Sequence, residues 1–232
     1  MSFGTCCIKR DEFDYRPMEA KSVEIKGEQH GLLVNFELIQ TFVQNKSGPQ
    51  EAYYLFPNDL KMCIYDTTFA IGDEVIKPKL KPKDEAKKTY EEAVRRGHTA
   101  LYGSNIENGL TEFKLGNVPP DTICKVILKV AFTCNVTEKN SFFIKFPLDV
   151  YDPCGSRECL DMHSSNFYCQ LKCDTEKVKN VHSNVLNGHY DEKQKVFTIN
   201  DRVKSRENEK SIIVNFETIE PIQSSVFVGK TM

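Results

Sequence analysis

The chain has 232 residues, 40% of them hydrophobic and 28% charged, which supplies a sizeable core for one large β domain or two small domains and excludes a disordered chain. A formal charge of -2 gives no electrostatic reason to expect nucleic acid or an anionic membrane as partner, and no basic stripe stands out. No run approaches the roughly 18 apolar residues of a membrane span, and Met1 to Cys7 lacks the order of a secretory signal, so a cytoplasmic chain with reduced thiols is expected.

Residues 1–31 carry mixed charge, with one strand at Ser22 to Lys26 and with Pro17 and Gly27 as punctuation. From Leu32 the pattern sharpens. Leu32, Val34, Phe36, Leu38 and Phe42 alternate with Asn35, Glu37 and Thr41, the period of two that marks a half-buried strand. Asn45 to Gln50 reads as a loop, and Ala52 to Phe56 as a short aromatic strand stopped by Pro57. Met62 to Ile71 and Glu74 to Lys77 flank Gly72-Asp73, which predicts a tight hairpin.

The next stretch predicts the chain's one helix. Ala86, Tyr90, Ala93 and Val94 recur at helical spacing while Lys87, Lys88, Glu91, Glu92, Arg95 and Arg96 fill the other face, so an amphipathic helix is expected over about 84–96. Asp84 is the expected N-cap after Pro82, and Gly97 suits the left-handed residue past the end. Asp84/Lys88, Glu91/Arg95 and Glu92/Arg96 are spaced to pair, each for about 0.3 kcal/mol. His98 to Tyr102 and Leu110 to Leu115 read as strands, and Gly116 to Asp121 reverses the chain. Cys124, Val126, Leu128, Val130, Phe132 and Cys134 then alternate with Lys125, Lys129 and Thr133, a strand with one wet face that fits an antiparallel sheet.

Past about residue 138 the β character continues at Phe142 to Phe146, Phe167 to Cys173, Val178 to His182, Lys195 to Ile199 and Ser211 to Phe216, with Asp201 to Lys210 as an exposed hairpin loop. Many short strands and one helix predict a mostly β fold, an antiparallel β-sandwich or distorted barrel. The organisation expected is an N-terminal segment and first strand (1–31), a β domain (32–137) and a β-rich extension packed on the same globule (138–232).

Between Leu33 and Val136 several separated motifs occur in order: Gln40, Phe42 and Asn45; then Glu51, Ala52, Tyr54, Phe56 and Pro57; then Ala86, Tyr90, Glu91, Ala93 and Gly97, with Ala100 after them; and finally Phe113, Gly116, Asn117, Val118, Pro119 and Pro120. Together they resemble the vault/inter-alpha-trypsin (VIT) domain of inter-alpha-trypsin inhibitor heavy chains and of von Willebrand factor A domain-containing proteins. Asn58 and Phe132 depart from the family's usual leucine and tyrosine, as packing changes. The resemblance implies a non-catalytic interaction or scaffold module with protein partners, a von Willebrand factor A domain among them, and with no cofactor. In relatives that adhesion domain follows and opens with Asp-x-Ser-x-Ser, a motif absent from this chain. Physically the matching residues read as architecture: prolines fix turns, glycines allow unusual dihedrals, and Tyr54, Phe56, Tyr90 and Phe113 fill a core.

Candidate chemistry is sparse. Cys154, Cys159 and His163, followed by Cys169 and Cys173, place soft ligands in a short span that could hold zinc, giving a zinc-stabilised module as the alternative. The spacing lacks a tight Cys-x2-Cys knuckle, and Cys169 and Cys173 share one face of a presumed strand, which favours buried reduced thiols. Gly229-Lys230-Thr231 lacks the earlier glycine of a phosphate loop. His30, His98, His163, His182 and His189 have no nucleophile and acid beside them in a recognisable motif, and Glu91-Glu92 point about 100° apart on a helix. No catalytic residue is assigned.

Overall fold

A computed structural model describes residues 4–9, 15–57, 62–79, 81–106, 110–138, 140–147, 165–173, 177–184, 186–202 and 211–221. Among them are seventeen strands in three sheets and one helix. The first sheet joins β1 (Thr5–Lys9), β2 (Tyr15–Pro17), β5 (Gln50–Pro57), β8 (Ala100–Ile106) and β9 (Leu110–Val118) in the order β2-β1-β5-β9-β8. The second and largest contains β3 (Glu19–His30), β4 (Leu33–Gln44), β6 (Met62–Ile71), β7 (Glu74–Ile76), β10 (Thr122–Thr133), β13 (Asn166–Lys172), β15 (Gly188–Asp191) and β16 (Val196–Arg202). Its order is β15-β16-β13-β3-β4-β10-β6-β7. The third joins β11 (Asn135–Glu138), β12 (Ser141–Pro147), β14 (Val178–Ser183) and β17 (Ser211–Thr218) in the order β11-β12-β17-β14.

The alternation along β4 sets the layers. Val34, Phe36, Leu38, Gln40, Phe42 and Gln44 are buried while their neighbours are half-exposed, and β10 keeps Lys125 and Lys129 on the wet face. The inward face is shared by both smaller sheets. Phe42 meets Tyr54 of β5 edge-on at 6.3 Å between ring centroids, and Phe36 meets Phe146 of β12 the same way, also at 6.3 Å. One continuous core results, holding Phe56, Phe69, Phe132, Phe197 and Phe216, each contributing about 1.5–3 kcal/mol by removal from water. The expected mostly β sandwich with one helix is the fold observed, and none of the three sheets closes on itself among the described residues.

The pairing is not wholly antiparallel. β13 runs parallel to β3, with Cys169 opposite Ile25 and Leu171 opposite Gly27, so the extension supplies strands to the same sheet as the residues that carry the motifs. A parallel neighbour needs a long crossover, and the alternation of one strand carries no record of its partner's direction. Gly27 does not end a strand as its residue type suggested. β3 continues through it because a Cβ there would sit 2.2 Å from the Asn35 carbonyl oxygen. The hairpin at Gly72-Asp73 is as expected, with Ile71 opposite Glu74 and Gly72 at φ +59°.

The buried glutamines have partners. Tyr54 Oη donates to Gln40 Oε1 at 2.7 Å, and Gln40 Nε2 donates to the Gly4 carbonyl at 2.9 Å. Gln44 Nε2 donates to the Gly48 carbonyl at 3.0 Å and its Oε1 accepts from the Lys46 amide. Gln29 Nε2 donates to the Gly31 carbonyl at 2.6 Å, so all three satisfy the requirement that a buried amide be hydrogen-bonded.

Candidate functional site

The helix α1 spans Lys83–Arg95 and buries Tyr90 against Ala100 and Tyr102 of β8. Its N-cap is Pro82, whose carbonyl accepts from the Ala86 amide at 2.9 Å, so Asp84 lies in the first turn, where its charge suits the helix dipole, and does not cap. The ion pairs formed are Lys81–Glu85 at 2.9 Å and Lys87–Glu91 at 3.9 Å, not the three expected from spacing. Both are exposed, where side chains choose among several partners at little energetic difference. At the other end Gly97 takes φ +79° and donates to the Val94 carbonyl at 3.0 Å.

The C-terminal end of β9 docks this helix. A Cβ on Gly116 would lie 2.4 Å from Val94 Cγ2 and 3.0 Å from Tyr90 Oη, so only glycine lets the helix lie this close to β9. Asn117 adopts φ +55°, and its side-chain amide donates to the Val94 carbonyl at 2.8 Å and to the His98 carbonyl at 3.1 Å. It thus caps carbonyls at the helix C-terminus from a remote strand. Tyr90 Oη donates to Glu51 Oε1 at 2.6 Å, and Tyr53 donates to the other oxygen of the same carboxylate. Burial first, and the Glu51 hydrogen bond second, push the Tyr90 phenol well above its ordinary range. Tyr54 and Phe56 are fully buried, Phe113 is half-buried with its ring 5.1 Å from that of Phe69, Pro57 ends β5, and Pro119 and Pro120 lie exposed in the turn before β10.

The candidate zinc ligands Cys154, Cys159 and His163 lie outside the described residues. Cys169 and Cys173 are buried in the main core, where desolvation pushes both thiols upward, Cys173 to about 12. No group of three or more His, Cys, Asp or Glu side chains placed to hold a metal occurs among the described residues. His30 pairs with Glu28 at 3.3 Å on the surface, and His98, His182 and His189 are exposed.

A groove of about 690 Å³ lies beside α1. Ile64, Tyr65, Asp66 and Thr67 of β6 form one wall, and Leu101, Tyr102, Gly103 and Ser104 of β8 another. Side chains of a strand alternate between its faces, so four consecutive residues lining one cavity mean that the strand's edge itself is presented. Both edges are unpaired among the described strands: β8 ends its sheet, and β7 covers β6 only at Phe69 to Ile71. A bulge in the β6–β10 ladder, where Lys129 pairs with Asp66 and Val130 with Ile64, leaves Tyr65 out of register and 59% exposed at the rim.

Lysines complete the groove. Lys77, Lys79 and Lys81 line it, and Asp66, the carboxylate among its lining residues, is engaged from outside by Lys129 at 3.5 Å. In the sequence these lysines belong to Lys-Pro-Lys-Leu-Lys-Pro-Lys at Lys77 to Lys83, a local basic run that the overall charge of -2 conceals. Charge counted in short windows finds it.

Comparison with known proteins places these features. The model of the family described as the vault protein inter-alpha-trypsin domain matches residues 20–132. Similar curated proteins include the mouse protein mono-ADP-ribosyltransferase PARP4, 29% identical over 130 residues, which is 56% of this chain and 6% of that protein. Its human counterpart is 32% identical over 116 residues, 50% of this chain and 6% of that protein. Human von Willebrand factor A domain-containing protein 5A is 24% identical over 115 residues, 49% of this chain and 15% of that protein. The chain therefore spans a small fraction of the relatives it matches. Among solved structures, a putative nutrient binding protein from Legionella pneumophila superposes with a TM-score of 0.50 at 8% identity, covering 92% of this chain and 70% of that one, a likeness of fold alone.

Proposed function

Since residues 20–132 form a domain of the vault protein inter-alpha-trypsin (VIT) family, we propose that the chain is a non-catalytic protein–protein interaction or scaffold module that works beside a von Willebrand factor A-type domain. The observation that carries this reading is how the motif residues are used. Tyr54, Tyr90, Gly116 and Asn117 spend their side chains, or the lack of one, on packing and capping inside the fold, which leaves no nucleophile or acid–base pair among them. Relatives named as von Willebrand factor A domain-containing proteins support the association. The transferase named among the relatives is matched over 6% of its length, and no transferase activity is assigned to this segment.

A cytoplasmic setting belongs to the same proposal. It is supported by Cys6, Cys7, Cys124, Cys134, Cys169 and Cys173, all buried as free thiols.

The test is a calorimetric titration of the 232-residue chain with the isolated von Willebrand factor A domain of human von Willebrand factor A domain-containing protein 5A. Saturable binding is expected. A titration that stays flat to about 100 μM refutes the association.

A further inference from the structure

We propose that the groove between the free edges of β6 and β8 is a docking site for an extended, acidic polypeptide segment. This rests on reading the chain as an interaction module and adds where the partner sits and what its chemistry is. Three independent features converge there. Two strand edges present unpaired backbone donors and acceptors across one gap, which is the requirement for an added strand. Ile64, Ile76, Leu101 and Phe113 line the groove and offer apolar contact to alternate side chains of the guest. Lys77, Lys79 and Lys81 supply positive charge along it, and Lys129 already occupies Asp66.

Charge complementarity selects the guest. Lys81 is held by Glu85 at 2.9 Å, whereas Lys77 and Lys79 have no carboxylate within ion-pair distance among the described residues. Two lysines, two residues apart in sequence, thus line the groove without an acidic partner there, which favours a guest that carries carboxylates. Tyr65, turned out by the bulge, adds a rigid aromatic of the type enriched at binding hot spots. A nucleic acid or an anionic bilayer would also meet lysines, but neither uses unpaired strand edges, and the chain as a whole is acidic.

The experiment measures fluorescence anisotropy of a labelled peptide of alternating glutamate and valine, about ten residues long, against the full 232-residue chain. A peptide with lysine in place of glutamate, a single-stranded poly-uridine and phosphatidylserine vesicles are run beside it. The glutamate peptide is expected to bind, more weakly as salt rises, and to shift backbone amide resonances at Ile64 to Thr67 and Leu101 to Ser104. Lys77→Glu with Lys79→Glu weakens it by about tenfold or more, since each reversal replaces an attraction by a repulsion. Both lysines are exposed and outside any strand or helix, and an unchanged melting temperature confirms that the double variant folds. Tyr65→Ala gives a second, uncharged check.

No binding up to about 1 mM, binding indifferent to the charge reversal and to Tyr65→Ala, or amide shifts elsewhere overturns the proposal. So does poly-uridine or vesicle binding that exceeds peptide binding and is abolished by the same reversal. A partner that docks elsewhere would bind the double variant normally, so the groove can fail while the interaction module stands.

Discussion

Replacing Asn117 separates what its side chain does from what its backbone does. Its amide donates to the Val94 carbonyl at 2.8 Å and the His98 carbonyl at 3.1 Å while its own φ is +55°. Asn117→Ala removes both hydrogen bonds, worth about 0.5–1.5 kcal/mol each with the exposed one at the lower end, and places a Cβ residue in the left-handed region for about 1 kcal/mol more. The total is about 2–3 kcal/mol. Asn117→Gly removes the bonds without the backbone penalty, so about 1–2 kcal/mol remains. Asn117→Asp keeps the shape but at neutral pH turns an anion toward two carbonyls and the negative end of the helix dipole, and it is expected to be at least as damaging as glycine. Urea unfolding followed by circular dichroism gives the midpoint shifts, with the slope unchanged. Because α1 has 13 residues, near the length below which an isolated helix is marginal, its amides should exchange about tenfold faster or more in Asn117→Gly while those of β4 and β10 hold. If Asn117→Gly unfolds within about 0.3 kcal/mol of the parent and α1 exchange is unchanged, the remote cap is not what holds the helix.

Alkaline pH is expected to unfold the chain through its thiols. Burial raises Cys6, Cys124 to about 11, Cys134 to about 12, Cys169, and Cys173 to about 12, against 9.0 for the free thiol. A raised folded pKa gives stability that is complete below the unfolded value and lost as pH rises through the folded one. The unfolding free energy from urea titration should therefore stay level with respect to these groups up to about pH 8.5 and fall from about pH 9, by up to about 1.4 kcal/mol per pH unit for each thiol that has ionised in the unfolded chain alone, with the midpoint falling in step. A midpoint unchanged from pH 8 to pH 10.5 contradicts this. Truncation after Glu138 removes β13, which pairs with β3, and Phe146, whose ring lies 6.3 Å from those of both Phe36 and Phe167. The shortened chain is expected to aggregate through the bared β3 edge, and a monomer with a cooperative melt, by light scattering and calorimetry, would show that the extension is dispensable.

Much of the fold is legible because burial writes a period of two into β4 and β10, and a period near 3.6 into α1. What the residues hid was non-local. Gly27 looks like a stop until the Asn35 carbonyl is seen lying where its Cβ would be. β13 has the alternation of any half-buried strand, and only the assembled sheet shows that it runs parallel to β3. Asp84 is a good capping residue by type, yet Pro82 holds that place, because proline's fixed φ and lack of a donor suit the point where a helix starts. The groove was hidden differently. Its lysines were visible as Lys77 to Lys83, but an average over the chain cancels them, and its walls exist only because two sheets leave an edge facing each other.

The motif and the groove are mechanically connected. Gly116 and Asn117 fix α1 against β9, and α1 begins at Lys83, the last lysine of the basic run, with Pro82 as its N-cap. Ala86 and Thr89 of the same helix line the groove, and the Lys81–Glu85 pair ties its first turn to the lysine wall. The position of that wall is therefore set by contacts at the opposite end of the helix, through a rigid element about 20 Å long at 1.5 Å per residue. A residue pattern with no reacting group in it can still determine binding, by holding the helix from which the charged wall starts.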